Sequence, residues 1–273
     1  MKTAPPTIAR MNAATWRGGT PAEHARALPD EVAVALTYDH ATFAVMMATP
    51  SELEDFAIGF SLSECIIGKA SDITGFEAVV VEQGIDCRMT LSPARRDALD
   101  ARRRRITGPV GCGLCGLDSL KEADRPIPKI QSAVHITADV IADAVSRMSQ
   151  LQKLNIETRA VHAAAFFAPS GNDILLREDI GRHNALDKVI GAVSRRGDDP
   201  GAGAIFLTSR VSLDLIQKTA VFGAAILVAV SVPSASAVRA AEAAGITLIA
   251  VARHDGFEIF THPERVIFGT ISE

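Results

Sequence analysis

The spacing of apolar and polar residues predicts strands in the first hundred residues of the chain. Alternation and β-prone residues predict strands over 31–38 and 42–48, with Asp39-His40 as a turn between them, and two more strands are expected over 76–81 and 86–91. Thr49, Pro50 and Glu52 have the spacing of a helix start, so we expect a helix over 50–65 with Thr49 as its N-cap. Residues 1–30 show no clear period, and we expect a mobile N-terminal arm there.

The second half of the chain has the pattern of strands that alternate with helices. We expect strands over 163–168, 174–177, 204–208, 224–230 and 246–251, and helices over 138–154, 184–196, 211–222 and 234–244. Gly197, Gly223 and Gly245 follow three of these helices, where glycine is the favoured residue. Two consecutive units of helix, glycine and apolar strand predict parallel crossovers in a covered sheet, and therefore an α/β fold, α+β overall.

Charge and hydropathy exclude several classes of protein. The chain has 273 residues, with 28 Lys+Arg against 32 Asp+Glu, and a net charge of −4 argues against a general nucleic-acid binder. The apolar run over 220–230 is about half the roughly 20 residues that a membrane span needs. We therefore expect a cytoplasmic protein with no membrane association and with its thiols reduced.

The motif Cys112-Gly-Leu-Cys115 is the sharpest chemical feature of the sequence. The glycines around it predict a loop over 106–117 that no apolar side chain covers. Zinc binding needs four ligands, so Cys65 and Cys87 would have to join the pair. Thiol–disulfide exchange normally uses a pair that opens a helix, whereas a persulfide carrier needs an accessible, mobile thiolate, which the arginines over 102–105 would favour. These three tasks remain open at this point.

The junctions between strands and helices form a second group of candidates. Arg182 and His183 follow one predicted strand, and Ser209 and Arg210 follow another. Helix N-termini at the carboxyl ends of strands bind anions, so this pattern predicts a nucleotide phosphate. The alternative is ordinary capping with the arginines in solvent, and His183 is either a base or structural.

Several motifs together resemble the formate dehydrogenase accessory sulfurtransferase family (FdhD/NarQ-like) over roughly residues 30–270. They are MATP (47–50), EDFAIGF (54–60), SE (63–64), GCGLCG (111–116), HAA (162–164), REDIGRHNALDK (177–188), TSR (208–210), QK (217–218) and FEIFTH (257–262). The combination of the 177–188 motif with the cysteine loop is specific, whereas a CxxC pair alone is not.

The resemblance implies a two-domain organisation and a homodimer. A smaller N-terminal α+β domain would cover 31–125 and end in the cysteine loop. A cytidine-deaminase-like domain with a mixed sheet and covering helices would cover 126–273.

The resemblance also implies a task. Such proteins accept persulfide sulfur from a cysteine desulfurase and pass it to the molybdenum bis(molybdopterin guanine dinucleotide) cofactor of formate dehydrogenase. By position, Cys112 matches the persulfide cysteine and Cys115 the second cysteine. The cofactor is a bound substrate, with no metal held directly by the protein, and its contacts match Phe257, Glu258, Ile259, Phe260, Thr261 and His262.

The chain departs from the family pattern at three places. Cys65 stands where glycine is frequent, Thr158-Arg159-Ala160 replaces Thr-Gly-Gly, and Phe260 replaces a frequent tyrosine. We expect Cys65 and Cys87 to be buried and structural. Two other functions remain open, a thiol–disulfide redox protein and a non-enzymatic chaperone that binds the cofactor.

Overall fold

A computed structural model of the protein describes residues 5–103, 127–168 and 173–269. The predicted loop with Cys112 and Cys115 lies outside the described residues, as do the side chains of the arginines over 102–105. Mixed α/β architecture is confirmed, with a four-stranded sheet in the N-terminal half and a six-stranded sheet in the C-terminal half.

Residues that the sequence assigned to an arm without periodicity form a β-hairpin. Strands β1 (Ile8–Arg17) and β2 (Thr20–Pro29) pair antiparallel along their whole length. The turn is Gly18-Gly19, and both glycines have positive φ, at 56° and 85°. This conformation suits a two-residue hairpin turn. The strands are mostly exposed and lack apolar alternation, so hydrophobic periodicity could not reveal them.

The N-terminal sheet packs one face against a helix. Strands β3 (Val32–Tyr38), β4 (Ala41–Ala48), β5 (Ile73–Val80) and β6 (Ile85–Leu91) have the order β4-β3-β6-β5. Helix α1 (Leu53–Ser63) covers them through Phe56 and Phe60, and α2 (Pro93–Arg103) follows the sheet. The predicted helix start at Thr49 and Pro50 is wrong, because α1 begins after Glu52, whose φ is 47°. The Thr49 hydroxyl instead accepts a hydrogen bond from Ile180 N, 3.1 Å away in the other half.

The C-terminal half begins with β7 (Ile136–Thr137), α3 (Ala138–Leu151), α4 (Lys153–Thr158), β8 (His162–Phe167) and β9 (Ile174–Asp179). It continues with α5 (Arg182–Arg196), β10 (Ala204–Leu207), α6 (Leu213–Phe222), β11 (Ile226–Ala229) and α7 (Ala235–Ala244). It ends with β12 (Thr247–Arg253), β13 (Gly256–Ile259) and β14 (Val266–Ile267). The large sheet has the order β13-β12-β11-β10-β8-β9, with helices on both faces.

The predicted parallel crossovers are confirmed. Strands β10, β11 and β12 are parallel neighbours, and α6 and α7 connect them. Gly197, Gly223 and Gly245 end α5, α6 and α7 with φ of 73°, 95° and 74°, as the sequence predicted. Among the described helices, none is both long and apolar enough to cross a membrane.

The two halves meet where α1 crosses α5 at a pair of glycines. A Cβ atom on Gly59 would lie 1.7 Å from Asp187 O, and one on Gly191 would lie 1.9 Å from Asp55 O. The two helix backbones are therefore in direct contact, and neither position has room for a side chain. We call the contact between Gly59 and Gly191, together with the charged residues of both halves that lie beside it, the seam.

We predict that Gly191→Ala destabilises the protein by about 3 kcal/mol or more, because the new methyl group overlaps backbone atoms that cannot rotate away. Gly256→Ala is the control, since Gly256 is exposed and a Cβ there meets nothing within 4 Å. Urea unfolding should place the control within about 0.5 kcal/mol of wild type. Equal midpoints for Gly191→Ala and wild type would contradict the close crossing.

Candidate functional site

The sheet topology brings the predicted strand ends to one edge of the six-stranded sheet. His162 at the start of β8 pairs with Asp179 at the end of β9, and Thr208 N donates to Ala163 O. The carboxyl ends of β9, β10, β11 and β12 therefore lie together, and we call this the carboxyl edge. Arg182 and Arg210 both follow strands that end there.

Two helices begin at the carboxyl edge without a side-chain cap. Gly181 precedes α5 and has no side chain to cap it. Ser212 precedes α6, but its hydroxyl accepts no hydrogen bond from the first turn of α6. In contrast, the Ser234 hydroxyl caps α7 by accepting from Ala237 N. The uncapped first turns leave backbone N–H groups without helical partners. Arg182 Nε and Ser212 Oγ are buried at the same helix starts and have no hydrogen-bond partner in the part of the chain described here.

Electrostatics at this edge favour a negatively charged ligand. Burial lowers the pKa of His162, and the positive charges of Arg182 and Arg210 lower it further. Both arginines are therefore near enough to His162 to act on it. An anion placed among them would be attracted by the same potential.

His183, in the first turn of α5, is held neutral. Burial, with Arg182, Lys218 and His162, lowers the pKa of His183 to about 4. Its Nε2 atom is buried without a hydrogen-bond partner among the described residues, and lies 3.9 Å from Asp214 Oδ2. Burial raises the pKa of Asp214. This neutral imidazole is able to donate or accept one hydrogen bond from a ligand.

A cavity of about 530 Å³ opens at the carboxyl edge on the side of α3. Its lining combines apolar side chains with polar groups able to bind a heterocycle, among them Met148, Gln152, Asn155, His162, Thr208 and Arg253. A volume of several hundred cubic ångströms is typical of cofactor pockets.

The other predicted residues at this edge differ in exposure. Ser209 is buried, and its hydroxyl donates to Arg210 O at 3.0 Å, so this hydroxyl already has an intramolecular partner. Arg210 is exposed, and its side chain is free to meet a ligand from solvent.

The stretch from Phe257 to His262 runs away from the carboxyl edge. Strand β13 is antiparallel to β12, and Phe260 N donates to Leu248 O near the start of β12. At about 3.3 Å per residue, five residues from Leu248 to Arg253 place Phe260 roughly 17 Å from the edge. The stretch therefore begins at the carboxyl edge, where Gly256 pairs with Arg253, and its later residues lie toward the opposite edge of the sheet.

Thr261 and His262, at the end of that stretch, make hydrogen bonds within the chain. Thr261 is buried, and its hydroxyl donates to Ile246 O and accepts from Leu248 N. His262 Nε2 lies 3.0 Å from Glu242 O, and Thr247 donates to His262 O. Phe257 and Ile259 pack against the core on the α3 side of the sheet, whereas Glu258 is exposed and Phe260 is 38% exposed.

The 177–188 motif supplies a buried ion pair to the seam. Asp179 and Lys188 are both fully buried, with 2.8 Å between Oδ2 and Nζ. Asp179 also accepts from the backbone nitrogens of Thr49 and Gly181, and Lys188 donates to Thr49 O. Asn184 donates to Met47 O and to Asp179. This part of the motif therefore joins the two halves.

A second buried pair involves the neighbouring residue of α5, Asp187. Lys218 of α6 contacts both carboxylate oxygens of Asp187 at 2.9 and 2.8 Å, and Ser63 of α1 donates to Asp187 at 2.7 Å. Burial raises the pKa of Asp187, although Lys218 and Ser63 oppose the shift. Asp55 of α1 similarly accepts from Arg177 and Arg195. Except for Arg195, these residues belong to the family motifs, and no periodic signal in the sequence identifies their pairing.

The two described cysteines differ in environment. Cys87 is buried in β6, as expected, and burial, with Asp86, raises the pKa of its thiol to about 12. The expectation that Cys65 is buried is wrong, because it lies exposed just beyond α1. Its φ of 54° is left-handed, which gives a physical reason for glycine at this position. Within the described ranges, no group of three or more His, Cys, Asp or Glu residues is placed to hold a metal ion.

Comparison with known proteins gives consistent relatives. The sequence model of the FdhD/NarQ family matches residues 29–267. The protein named sulfur carrier protein FdhD from Agrobacterium fabrum strain C58 is 49% identical over 254 residues, covering 92% of this chain and 93% of the relative. The protein of the same name from Cupriavidus necator is 42% identical over 262 residues, covering 96% of this chain and 91% of the relative.

A solved structure has the same fold. The crystal structure of a formate dehydrogenase accessory protein from Desulfotalea psychrophila matches with a TM-score of 0.74 at 22% identity. The match covers 96% of this chain and all of that chain.

We predict a pH-dependent contribution of His183 to stability. Its folded pKa of about 4 lies below the ordinary 6.5, so the unfolded chain binds more protons between these values and stability rises with pH there. The free energy of unfolding of wild type minus that of His183→Gln should increase by on the order of 3 kcal/mol from pH 4 to pH 6.5. If this difference in the free energy of unfolding, measured by urea unfolding, stays constant from pH 4 to pH 6.5, the pKa of His183 is not lowered in the folded protein.

Proposed function

Since the chain belongs to the FdhD/NarQ family, we propose that it is a sulfur carrier that serves the maturation of formate dehydrogenase. The observation that carries the proposal is the likeness to curated sulfur carriers over more than nine-tenths of both chains. The finer parts of the proposal are the sulfur-bearing residues, the donor and the acceptor.

We assign the sulfur to Cys112, with Cys115 as its neighbouring thiol. A sulfur carrier needs an accessible thiol that forms a thiolate. Cys87 fails this requirement, because it is buried and its pKa is raised to about 12. Cys65 is exposed but stands alone at the end of α1. The paired cysteines in the glycine-rich segment are the remaining candidates.

The transfer is a thiol exchange. The Cys112 thiolate attacks the terminal sulfur of a persulfide on the donor, a cysteine desulfurase. The new S–S bond forms on Cys112, the old one breaks, and the donor cysteine leaves as a thiolate. The acceptor in the proposal is the molybdenum bis(molybdopterin guanine dinucleotide) cofactor destined for formate dehydrogenase. Attack of the Cys115 thiolate on the inner sulfur of the Cys112 persulfide would break its S–S bond, release the outer sulfur as hydrosulfide for the cofactor and leave a Cys112–Cys115 disulfide, which a cellular thiol reduces. In the proposal the protein works as a homodimer in the cytoplasm.

The carboxyl edge is the proposed site for one guanine nucleotide of this substrate. The positive potential of Arg182 and Arg210 and the uncapped starts of α5 and α6 suit its phosphates. The adjacent cavity of about 530 Å³ suits a ring system. If the 257–262 stretch also contacts the cofactor, it binds a different part of the same extended molecule.

We predict that Cys112→Ala abolishes the activation of formate dehydrogenase while the fold remains intact. The measurement is enzyme activity in a strain that lacks its own copy of the protein, together with a thermal melt of the purified variant. Cys115→Ala should also reduce the activation.

Cys87→Ser is the matched control, because it should lower the melting temperature and leave sulfur transfer by the folded fraction unchanged. Normal activation by a stably folded Cys112→Ala variant would contradict the persulfide role. If variants lacking both thiols remain active, the protein is a cofactor chaperone instead. A stable Cys112–Cys115 disulfide that turns over without any desulfurase would indicate a redox protein.

We predict that GDP binds at the carboxyl edge and that Arg210→Ala weakens its binding about ten- to a hundredfold. Each charge-assisted contact to phosphate contributes about 1.5–3 kcal/mol, and Arg210 is exposed to solvent at this edge. Calorimetry with wild type, Arg210→Ala and Phe260→Ala tests the assignment. Phe260→Ala should leave the GDP affinity unchanged, since Phe260 lies at the far end of β12.

Equal GDP affinity in wild type and Arg210→Ala would place the nucleotide elsewhere. A selective loss in Phe260→Ala would move the site to the 257–262 stretch.

A further inference from the structure

A groove of about 430 Å³ lies between the hairpin and α4, separate from the carboxyl edge and the seam. Its lining comes from three elements: Arg10 of β1, residues 24–27 of β2, and residues 156–159 at the end of α4. We call it the hairpin groove. None of its residues takes part in the sulfur or nucleotide chemistry proposed above.

The groove concentrates positive charge on a protein that is negative overall. Arg10, Arg26 and Arg159 line it, with Glu157 as the single acidic residue among the lining side chains. All three arginines are exposed, and none of their guanidinium groups has a hydrogen-bond or ion-pair partner in the ranges that the structure describes. The whole chain has a net charge of −4, so this cluster does not follow from composition.

Arg159 occupies a backbone position that disfavours it. The residue ends α4 with φ of 59° and ψ of 28°, a left-handed conformation in which a Cβ is strained. Within the described ranges its guanidinium group makes no hydrogen bond or ion pair that would offset this strain. Backbone strain at a residue without an ionic partner, beside two further arginines without partners in the described ranges, indicates that a group outside the chain binds all three.

The remaining features of the groove favour a peptide as that group. Ile156 is 51% exposed beside the arginines and offers an apolar contact. Strands β1 and β2 form a two-stranded sheet, so their outer edges are unpaired among the described residues and able to accept an extended chain. A nucleic acid would need aromatic side chains on which its bases could stack. Trp16 lies at the hairpin tip, and the groove lining contains no Phe, Tyr or Trp, so the groove does not favour a nucleic acid.

We propose that the hairpin groove binds an acidic, extended segment of a partner protein. Guanidinium groups bind carboxylates in a bidentate manner, so Arg10, Arg26 and Arg159 would each pair with an acidic side chain. Ile156 would contact an apolar side chain of the same segment. This docking function does not depend on which cysteine carries sulfur.

Fluorescence anisotropy with a labelled peptide of alternating Glu and Val residues tests the proposal. The triple variant Arg10→Gln/Arg26→Gln/Arg159→Gln should weaken binding about tenfold or more, and higher salt should weaken binding to wild type. Arg17→Gln is the matched control, because Arg17 lies on the same hairpin outside the groove, and it should bind as wild type does.

Arg159→Gly separates binding from folding. It should bind the peptide about threefold more weakly while its melting temperature stays equal or rises, since glycine relieves the strain. Arg159→Lys should keep most of the affinity. A fall in melting temperature for Arg159→Gly would show a structural role and overturn this part of the proposal.

Two further results would overturn the proposal as a whole. One is equal peptide affinity in wild type and the triple variant. The other is binding of an oligo-dT strand or of inorganic phosphate as tight as that of the peptide, with the same loss in the triple variant, which would make the groove a general anion site. Peptide binding that is lost in the triple variant, with weak binding of both other probes, supports it.

Discussion

The contact between Gly59 of α1 and Gly191 of α5 fixes how the two halves of the molecule sit together. Because neither residue has a side chain, the two helix backbones touch, and the charged residues on either side meet across the seam. Ser63 reaches Asp187, and Asp55 reaches the arginines of the C-terminal half. The same contact sets the position of α5, whose first turn forms part of the carboxyl edge. The first turn of α5 therefore belongs to the carboxyl edge, and the later part of the same helix belongs to the seam.

The buried charges of the seam specify a geometry more than they add stability. Taking two ions out of water costs about as much as their attraction returns, whereas removing one partner costs about 3–5 kcal/mol. Asp179 and Lys188 are fully buried, and each also bonds Thr49. Both residues belong to the C-terminal half, so another arrangement of the halves would keep their ion pair but remove its bonds to the Thr49 backbone. The 177–188 motif therefore serves two purposes, with its middle at the carboxyl edge and its ends in the seam.

The sequence predicted the elements whose signals are local. Helices α5, α6 and α7 were recognisable because each ends at a glycine that the chain needs for a left-handed turn. Arg182 and Arg210 then lie at one edge, because β9 and β10 are both antiparallel to β8 and therefore end on the same side of the sheet.

Features that depend on contacts distant in sequence were not predictable. Thr49 has the pattern of an N-cap, but its hydroxyl bonds Ile180, far along the chain. The turn that sends β13 back along β12 carries Phe260 to the opposite edge, and no periodicity shows this pairing. The hairpin β1–β2 is polar and exposed, so only its Gly18-Gly19 turn could have revealed it.

In the function proposed here, the protein carries sulfur on the Cys112–Cys115 pair. Intact-mass analysis after incubation with a cysteine desulfurase and cysteine tests it most directly. We expect a mass gain of one sulfur atom that a reducing thiol removes, present in wild type and absent from Cys112→Ala. A wild-type protein that gains no sulfur, or an adduct that persists unchanged in Cys112→Ala, would contradict the account.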